Sequence, residues 1–529
     1  VVDYAAFCVA DEAVRAVALS FEGLRDPRRL FELGESARAR GKRVVVLKTG
    51  RSNAASAAVQ SHTGSVSGDY ATFRSLFEQA GLVEVDSMEE LIETARLAAN
   101  WPADDVGGVG VLTNSGGTAI MAADYADEFD LPLPSLSEAT TTALAAHAPG
   151  FASLANPADL TANADDWASL TESIVSFSED PRIDLVVLPM PAPDLGERAL
   201  QRPRAILEAV DRAPVSLCVV WMSEMLRAPA SDLLDADPQL VTFRSLRRCM
   251  QAIGRLRYRP PVFVDGATAP GKSIVSTVAA AVDEALVKAG LVESGCITLD
   301  EAASRAILAA AGIEQVRAQE VSTAEEAVAA ASTIGYPVVV KGVLRGVAHK
   351  SDLGAVRLGL ADAAGVDSAC REIRASVATE APDAEVSGFL VAAMETGGFE
   401  AFVGARRDAL FGAVVVGGAG GTAMESLDDV QVGIAPLPHG RATELIDRLR
   451  CAPQLRSGRG ASGFDLGAFG SALDAVGQLI LADERITDID VNPLLLRPAD
   501  GGAVALDASV TLRLVGPESK YDPSGGWDE

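Results

Sequence analysis

Through the first half of the chain, short apolar runs rich in β-branched residues recur between longer amphipathic stretches. Val14–Phe21, Val44–Lys48, Val109–Thr113, Ile183–Leu188 and Val215–Trp221 are the candidate strands, each leading through a turn into a helical pattern such as MEELIETARLAANW. That alternation marks parallel strand–helix units. Runs that are apolar at nearly every position suit strands covered on both faces. NWPADDVGG, near residue 100, divides two such sheets, and YRPPVFVDGATAPGKSI, with its prolines and glycines, reads as a linker followed by a helical segment. From about residue 296 the pattern changes. A helix, LDEAASRAILAAAGI, precedes strands at YPVVVKGV, VSGFLVAAM, FEAFVGARRD and GAVVVGGAGG with little helix between them, and DIDVNPLLLRP and GGAVALDASVTL close as a hairpin. The expectation is two parallel-sheet α/β domains, 1–100 and 101–260, a linker over 261–292, an antiparallel α+β domain over 293–516, and a tail, 517–529.

Composition narrows the class of function. A chain of 529 residues is too long for one core. A formal net charge of −28 opposes nucleic acid and anionic membrane surfaces as partners, because both would repel it at long range. No apolar run approaches the roughly 18 residues of a membrane span. The six cysteines are dispersed, without a C-x-x-C pair or metal-ligand spacing, which predicts reduced thiols and a cytoplasmic home. The first residues already lie inside a strand–helix pattern, so a preceding segment is expected to be missing.

Histidine is scarce, with four in all, and two stand in small, polar loops. His62, in SHTGSVSG, falls past the carboxyl edge of a parallel strand, where open α/β sheets place ligands. Glu22, in ALSFEGLRD, ends a neighbouring strand, and its carboxylate there can hold one imidazole nitrogen so that the other acts as a nucleophile. Asn114, Ser115, Gly116 and Gly117, in TNSGGTA, form a strand-to-helix turn whose free N–H groups suit a phosphate. In the second half, Lys341 ends an apolar strand, where a buried ammonium is costly unless it meets an anion such as a nucleotide phosphate. Asn492 and Asp507 fall on neighbouring strands as two oxygen ligands for Mg2+. Taken singly, each signal also has a plain reading: a surface-loop histidine, a solvated carboxylate, a tight structural turn, a lysine reaching solvent.

Together the motifs carry a resemblance that covers nearly the whole chain in order. ALSFEGLRD, VVVLKTGRSNAASAAVQSHTGSVSGDY, VGVLTNSGGTAIMAADYADEFDLPL, ANPADLT, GYPVVVKGVLRGVAHKSDLGAVRLGL, FEAFVGARRDALFGAVVVGGAGG and DIDVNPL resemble the NDP-forming acyl-CoA synthetases, the ADP-forming acetate–CoA ligase type related to succinyl-CoA synthetase. The resemblance implies two flavodoxin-like, succinyl-CoA-ligase-like domains followed by an ATP-grasp domain. It implies ATP/ADP, Mg2+ and coenzyme A, with a small carboxylic acid as the remaining substrate and a homodimer as the usual assembly. His62 would be the phosphohistidine, Glu22 its steadying carboxylate, and His349 a second phosphate-relaying histidine. Lys341 and Glu400 would serve the nucleotide, with Asn492 and Asp507 on the metal. A relay has a physical reason: phosphoryl transfer needs reacting atoms about 3–3.5 Å apart, whereas domains of this size have radii of gyration of roughly 13–17 Å. The usual CoA-binding Rossmann domain has no counterpart in these residues, so a missing CoA-binding segment is expected. The alternative is an acyl-CoA-sensing or protein-acyltransferase-related module without ligase turnover, against which the intact His62 and His349 argue.

Overall fold

The computed structural model describes residues 1–52, 69–101, 107–148, 150, 152–160, 166–191, 198–225, 227–258, 269–289, 295–344, 353–382, 384, 386–421, 429–456, 463–499 and 501–514. The chain divides into two compact units, Val1–Val262 and Phe263–Glu529.

The first unit holds two parallel sheets. Strands β1 (Ala16–Phe21), β2 (Arg43–Lys48) and β3 (Val83–Glu84) pair in the order β1-β2-β3. Every residue from Val44 to Lys48 is buried, as a strand covered on both faces requires. The second sheet contains β4 (Gly108–Thr113), β5 (Ala158–Asp159), β6 (Ile183–Met190), β7 (Ser216–Trp221) and β8 (Val241–Phe243), in the order β5-β4-β6-β7-β8. The candidate strands therefore lie where the apolar runs placed them, to within two residues.

One apolar cluster joins the two sheets. Val45 and Leu47 of β2, Val109 and Val111 of β4, and Cys249, Met250 and Ile253 of the helix Leu246–Arg257 belong to it together. Charge closes its edge: Arg255 donates to Glu90 at 2.7 Å and to Asp86, and Arg248 donates to Glu93 at 3.0 Å. Asn156 ties β4 to its surroundings, accepting from the Val111 N–H at 3.0 Å and donating to the carbonyls of Val109 at 2.8 Å and Pro134 at 3.1 Å.

The second unit is antiparallel. β10 (Ala318–Val321), β11 (Val338–Leu344), β12 (Val356–Leu360) and β13 (Val386–Ala393) form a four-stranded sheet in the order β10-β13-β11-β12. A seven-stranded sheet runs β16-β15-β14-β17-β19-β9, with β18 also paired to β17. Its members are β9 (Gly295–Thr298), β14 (Phe399–Asp408), β15 (Gly412–Ala419), β16 (Val430–Ile434), β17 (Ile486–Leu496), β18 (Ala503–Ala505) and β19 (Ser509–Leu514). The helix Leu466–Ala482 lays Phe469, Leu473, Val476 and Ile480 into the core beneath it. Within the stretch read as linker, the helix Lys272–Ala289 buries Val278, Val282 and Ala285 in that same core, an apolar stripe at i, i+4 and i+7. Among the described residues, no helix is long and apolar enough to cross a membrane.

Candidate functional site

In the first unit the candidate chemistry gathers at the carboxyl edges of the sheets. Phe21 and Lys48 end β1 and β2 as register partners, and Glu22, exposed, follows Phe21 directly. Lys48 is buried. Its ammonium donates to the carbonyls of Glu22 and Thr49, both at 2.6 Å, and lies 5.1 Å from the centre of the Phe73 ring. Burial pushes this ammonium below the usual lysine range, and the Arg51 charge acts in the same direction. Arg51 donates to the Lys48 carbonyl at 2.7 Å and to Asp86, and packs over the Tyr70 ring. Asp69 caps the helix Tyr70–Gln79 by accepting from the Thr72 N–H at 3.0 Å. These groups hold both flanks of the segment that carries His62. His62 itself, and His349 in the second unit, lie outside the described residues.

Asn114, Ser115, Gly116 and Gly117 connect β4 to the helix Gly116–Glu128. Ser115 caps that helix, its hydroxyl accepting from the Thr118 N–H at 3.4 Å, while Asn114, Gly116 and Gly117 are exposed. A Cβ at Gly116 would come within 3.2 Å of the Asp159 carboxylate, so the turn runs close past the end of β5. Beside it, a cavity of about 50 Å³ opens between the ends of β4 and β6.

In the second unit, Lys341 of β11 is 7% exposed, and its ammonium meets Glu301 at 2.7 Å, Asp507 at 3.1 Å and the Leu506 carbonyl at 2.9 Å. The anion that the buried strand position demands is thus supplied within the chain, by a carboxylate forty residues upstream and another well downstream. Burial pushes the ammonium toward neutrality, but the Glu301 and Asp507 carboxylates outweigh it and hold its pKa above the ordinary value. β17 and β18 pair Leu494 with Ala505, and the Leu506 N–H donates to the Pro493 carbonyl at 3.0 Å. Carried one step further, this register sets Asn492 across from Asp507. The Asn492 amide oxygen accepts from the Gly421 N–H at 3.0 Å. A Cβ at Gly421, whose φ is +60°, would lie 1.8 Å from a carboxylate oxygen of the exposed Glu400. Glu400, Gly421 and Asn492 are therefore neighbours, and Asn492 leads on to Asp507 and Lys341. The amide and carboxylate oxygens are hard donors, the kind that suits Mg2+ completed by phosphate oxygens. Among the described residues, no group of three or more His, Cys, Asp or Glu is placed to hold a metal ion.

Four residues that shape these regions carried no assignment in the sequence. Lys48 gives the signal read at Lys341, a lysine after an apolar run, although only Lys48 ends its strand and Lys341 lies within β11. Asn156 stands in ANPADLT, a quoted motif whose asparagine has no reading until β4 is beside it. Glu301 and Arg202 are charges on helices that pattern alone marks as solvent-facing, yet both are buried.

Residues 291–512 match the family described as ATP-grasp domain, and residues 1–98 the succinyl-CoA ligase like flavodoxin domain. Over 510 residues the chain is 31% identical to the ADP-forming acetate–CoA ligase I of Archaeoglobus fulgidus, which covers 96% of this chain and 72% of that protein. Over 516 residues it is 30% identical to a trans-feruloyl-CoA synthase from an unknown prokaryotic organism, at 96% and 70% coverage. A solved structure of the Ca. Korarchaeum cryptofilum dinucleotide forming acetyl-coenzyme A synthetase 1 aligns with 41% of this chain and 94% of its own, at 34% identity and a TM-score of 0.40.

Proposed function

The chain belongs to the ADP-forming acyl-CoA synthetases, and from that membership we propose that phosphate passes from ATP to a carboxylic acid by way of His62. The overall reaction joins a carboxylic acid and coenzyme A with ATP to give acyl-CoA, ADP and phosphate. The observation that supports the nucleotide end best is the meeting of the Lys341 ammonium, on β11, with the carboxylate of Asp507, which the structure places between β18 and β19 rather than on a strand.

The chain's own groups divide the work. Lys341, kept charged by Glu301 and Asp507, binds nucleotide phosphate oxygens. Glu400, beside Gly421, orients the nucleotide. Asn492 and Asp507 would hold Mg2+, which when bound offsets negative charge on the phosphates. An imidazole nitrogen attacks the γ-phosphorus and ADP leaves, with His349 receiving the group near the nucleotide and His62 carrying it onward. Glu22 holds the His62 ring through its other nitrogen, and Lys48 fixes the backbone from which Glu22 projects. The N–H groups of Asn114–Gly117 stabilise the phosphoryl group while the acid's carboxylate oxygen displaces His62 to form the acyl phosphate. The CoA thiolate then attacks the acyl carbon and releases inorganic phosphate. The dispersed free cysteines fit a reducing, cytoplasmic setting.

Intact mass after Mg-ATP, quenched at neutral or alkaline pH, tests the relay. With the adduct mapped by peptide, the chain is expected to carry phosphate on His62, His62→Asn to hold it on His349 alone, and His349→Asn to phosphorylate His62 slowly or not at all. Phosphate reaching His62 undiminished in His349→Asn refutes the relay.

A further inference from the structure

We propose that Arg51 is a positioning residue for the phosphoryl relay: its guanidinium staples the chain that leaves for His62 to the chain that returns from it, and so sets the single anchor from which His62 is presented. This rests on the His62 reading above and adds a residue to it.

The geometry lies at the carboxyl edge of the first sheet. Arg51 comes just before the span that carries His62, and Tyr70 just after it. The guanidinium bridges the two, its carbon 5.1 Å from the centre of the Tyr70 ring. Its edge is turned to the sheet. Nε donates to the Lys48 carbonyl at the end of β2 at 2.7 Å, and the two Nη groups donate to the Val85 carbonyl and the Asp86 carboxylate, just past β3. The Tyr70 hydroxyl donates to Glu84 of β3 at 2.7 Å, and that carboxylate stands 3.8 Å from the same guanidinium. One side chain thus joins the ends of β2 and β3 to the first turn of the helix Tyr70–Gln79. Lys48 extends the tie to β1 through the Glu22 carbonyl, so the backbone of the steadying carboxylate belongs to the same network.

The apolar core already holds these elements. β2 buries every residue from Val44 to Lys48, and Phe73, Leu76 and Phe77 of the helix are fully buried. Arg51 sits outside that core, partly exposed, where an ion pair adds little stability. What an arginine adds there is geometry: a planar fork that bonds several groups along its edge while its face stacks on a ring, which an ammonium cannot reproduce. With its edge on Lys48, Val85 and Asp86 and its face on Tyr70, this guanidinium is a fastener rather than a phosphate ligand.

Fastening matters because of reach. His62 stands eleven residues after Arg51 and eight before Tyr70. At about 3.3–3.6 Å per residue it extends at most about 26–29 Å from Tyr70, and with both ends tied at one place that reach has one centre. Untied, the two attachment points separate, and His62 is presented less often to Glu22 and to the turn of Asn114–Gly117. Transfer is sensitive to such a loss, since a misplacement of about 1 Å can cost about 100-fold. The effect falls on the rate of presentation in both directions, and not on how tightly the histidine holds its phosphate.

The test follows phosphate on His62 in the full chain, by peptide mapping after an alkaline quench, for wild type, Arg51→Met, Arg51→Lys and Tyr70→Leu. Mg-ATP drives the group on, and Mg-ADP added to the desalted phosphoprotein draws it off as ATP. Arg51→Met and Tyr70→Leu are expected to slow both directions equally, by at least about tenfold. The final extent of phosphorylation and the Mg-ATP concentration for half-maximal rate should stay within about twofold of wild type. Arg51→Lys, with the charge but neither fork nor stacking face, should recover only part of the rate. A guanidinium that binds phosphate directly would instead lower the final extent in Arg51→Met and leave Tyr70→Leu unchanged, a result that overturns the proposal. Wild-type rates in the folded variants, or a shifted half-maximal concentration at an unchanged maximal rate, overturn it as well. Should Arg51→Met fail to fold, Tyr70→Leu and Arg51→Lys decide. A wild-type chain that takes up no phosphate on His62 removes the relay and this inference with it, whereas equal uptake by wild type and variants removes the staple and keeps the relay.

Discussion

Replacing Glu301 by alanine deletes the carboxylate 2.7 Å from the Lys341 ammonium and leaves that charge buried. What remains is Asp507 at 3.1 Å, its side chain 42% exposed, and the Leu506 carbonyl at 2.9 Å. Removing one partner of a buried pair costs about 3–5 kcal/mol, because the other is left desolvated without compensation. Asp507, still present but half in solvent, places the expected loss near the lower end, about 3 kcal/mol. Hydrogen exchange of peptides from 295–310 and 338–344 across a urea series reads the opening free energy of this unit directly. A double-mutant cycle sharpens the test: Glu301→Met with Lys341→Met removes both charges, and a matched apolar pair is often neutral or stabilising. The double variant should therefore be more stable than either single one. pH supplies a second arm. Since the folded chain raises the lysine pKa above its ordinary 10.5, the pair's contribution is complete below that value and is lost as pH rises through the higher folded one. The gap between wild type and Glu301→Ala should stay level from neutrality to about pH 9 and shrink only above 10.5. A loss under about 1 kcal/mol, or a double variant destabilised by the sum of the singles, refutes the reasoning.

Two further substitutions probe backbone fixtures. Asn156→Ala removes three hydrogen bonds, two to β4 and one to the Pro134 carbonyl, and at about 0.5–1.5 kcal/mol each it should cost roughly 2–4 kcal/mol. Urea unfolding followed by the fluorescence of the buried Trp101 and Trp221 checks it. Gly421→Ala places a Cβ on the Glu400 carboxylate at a residue with φ of +60°, so it should cost about 1–2 kcal/mol and weaken nucleotide binding several-fold, as measured by titration with ADP.

The strands were legible because burial on both faces writes itself as uninterrupted apolar runs, and VVVL in β2 and VVV in β11 are such runs. Lys341 was legible as a buried charge, and its partners were not. Glu301 sits on a helix whose pattern gives no sign that one carboxylate faces inward, and only the meeting of β11 with the segment after β18 brings Asp507 to it. The pairing of Asn492 with Asp507 follows from register, which a sequence specifies through the turn between the strands rather than through either residue. Lys48 closes its apolar strand, whereas Lys341, expected at a strand end, stands in the middle of β11, and the partners of Lys48 are backbone carbonyls, invisible to any reading by residue type.

The shared core of the first unit has a bearing on how this architecture can be inherited. The succinyl-CoA ligase like match ends at residue 98, and the connectivity of the two sheets invites a cut there. Packing does not respect that cut, because Leu91, Leu97 and Trp101 lie in the same apolar cluster as Val109, Leu185 and Phe243. Severing the sheets would uncover both sides at once and strand Asp86 and Glu90 from Arg255. The piece that can be exchanged, fused or split between genes is thus the whole of 1–262, and a recombination point near 100 would have to bring a replacement surface with it.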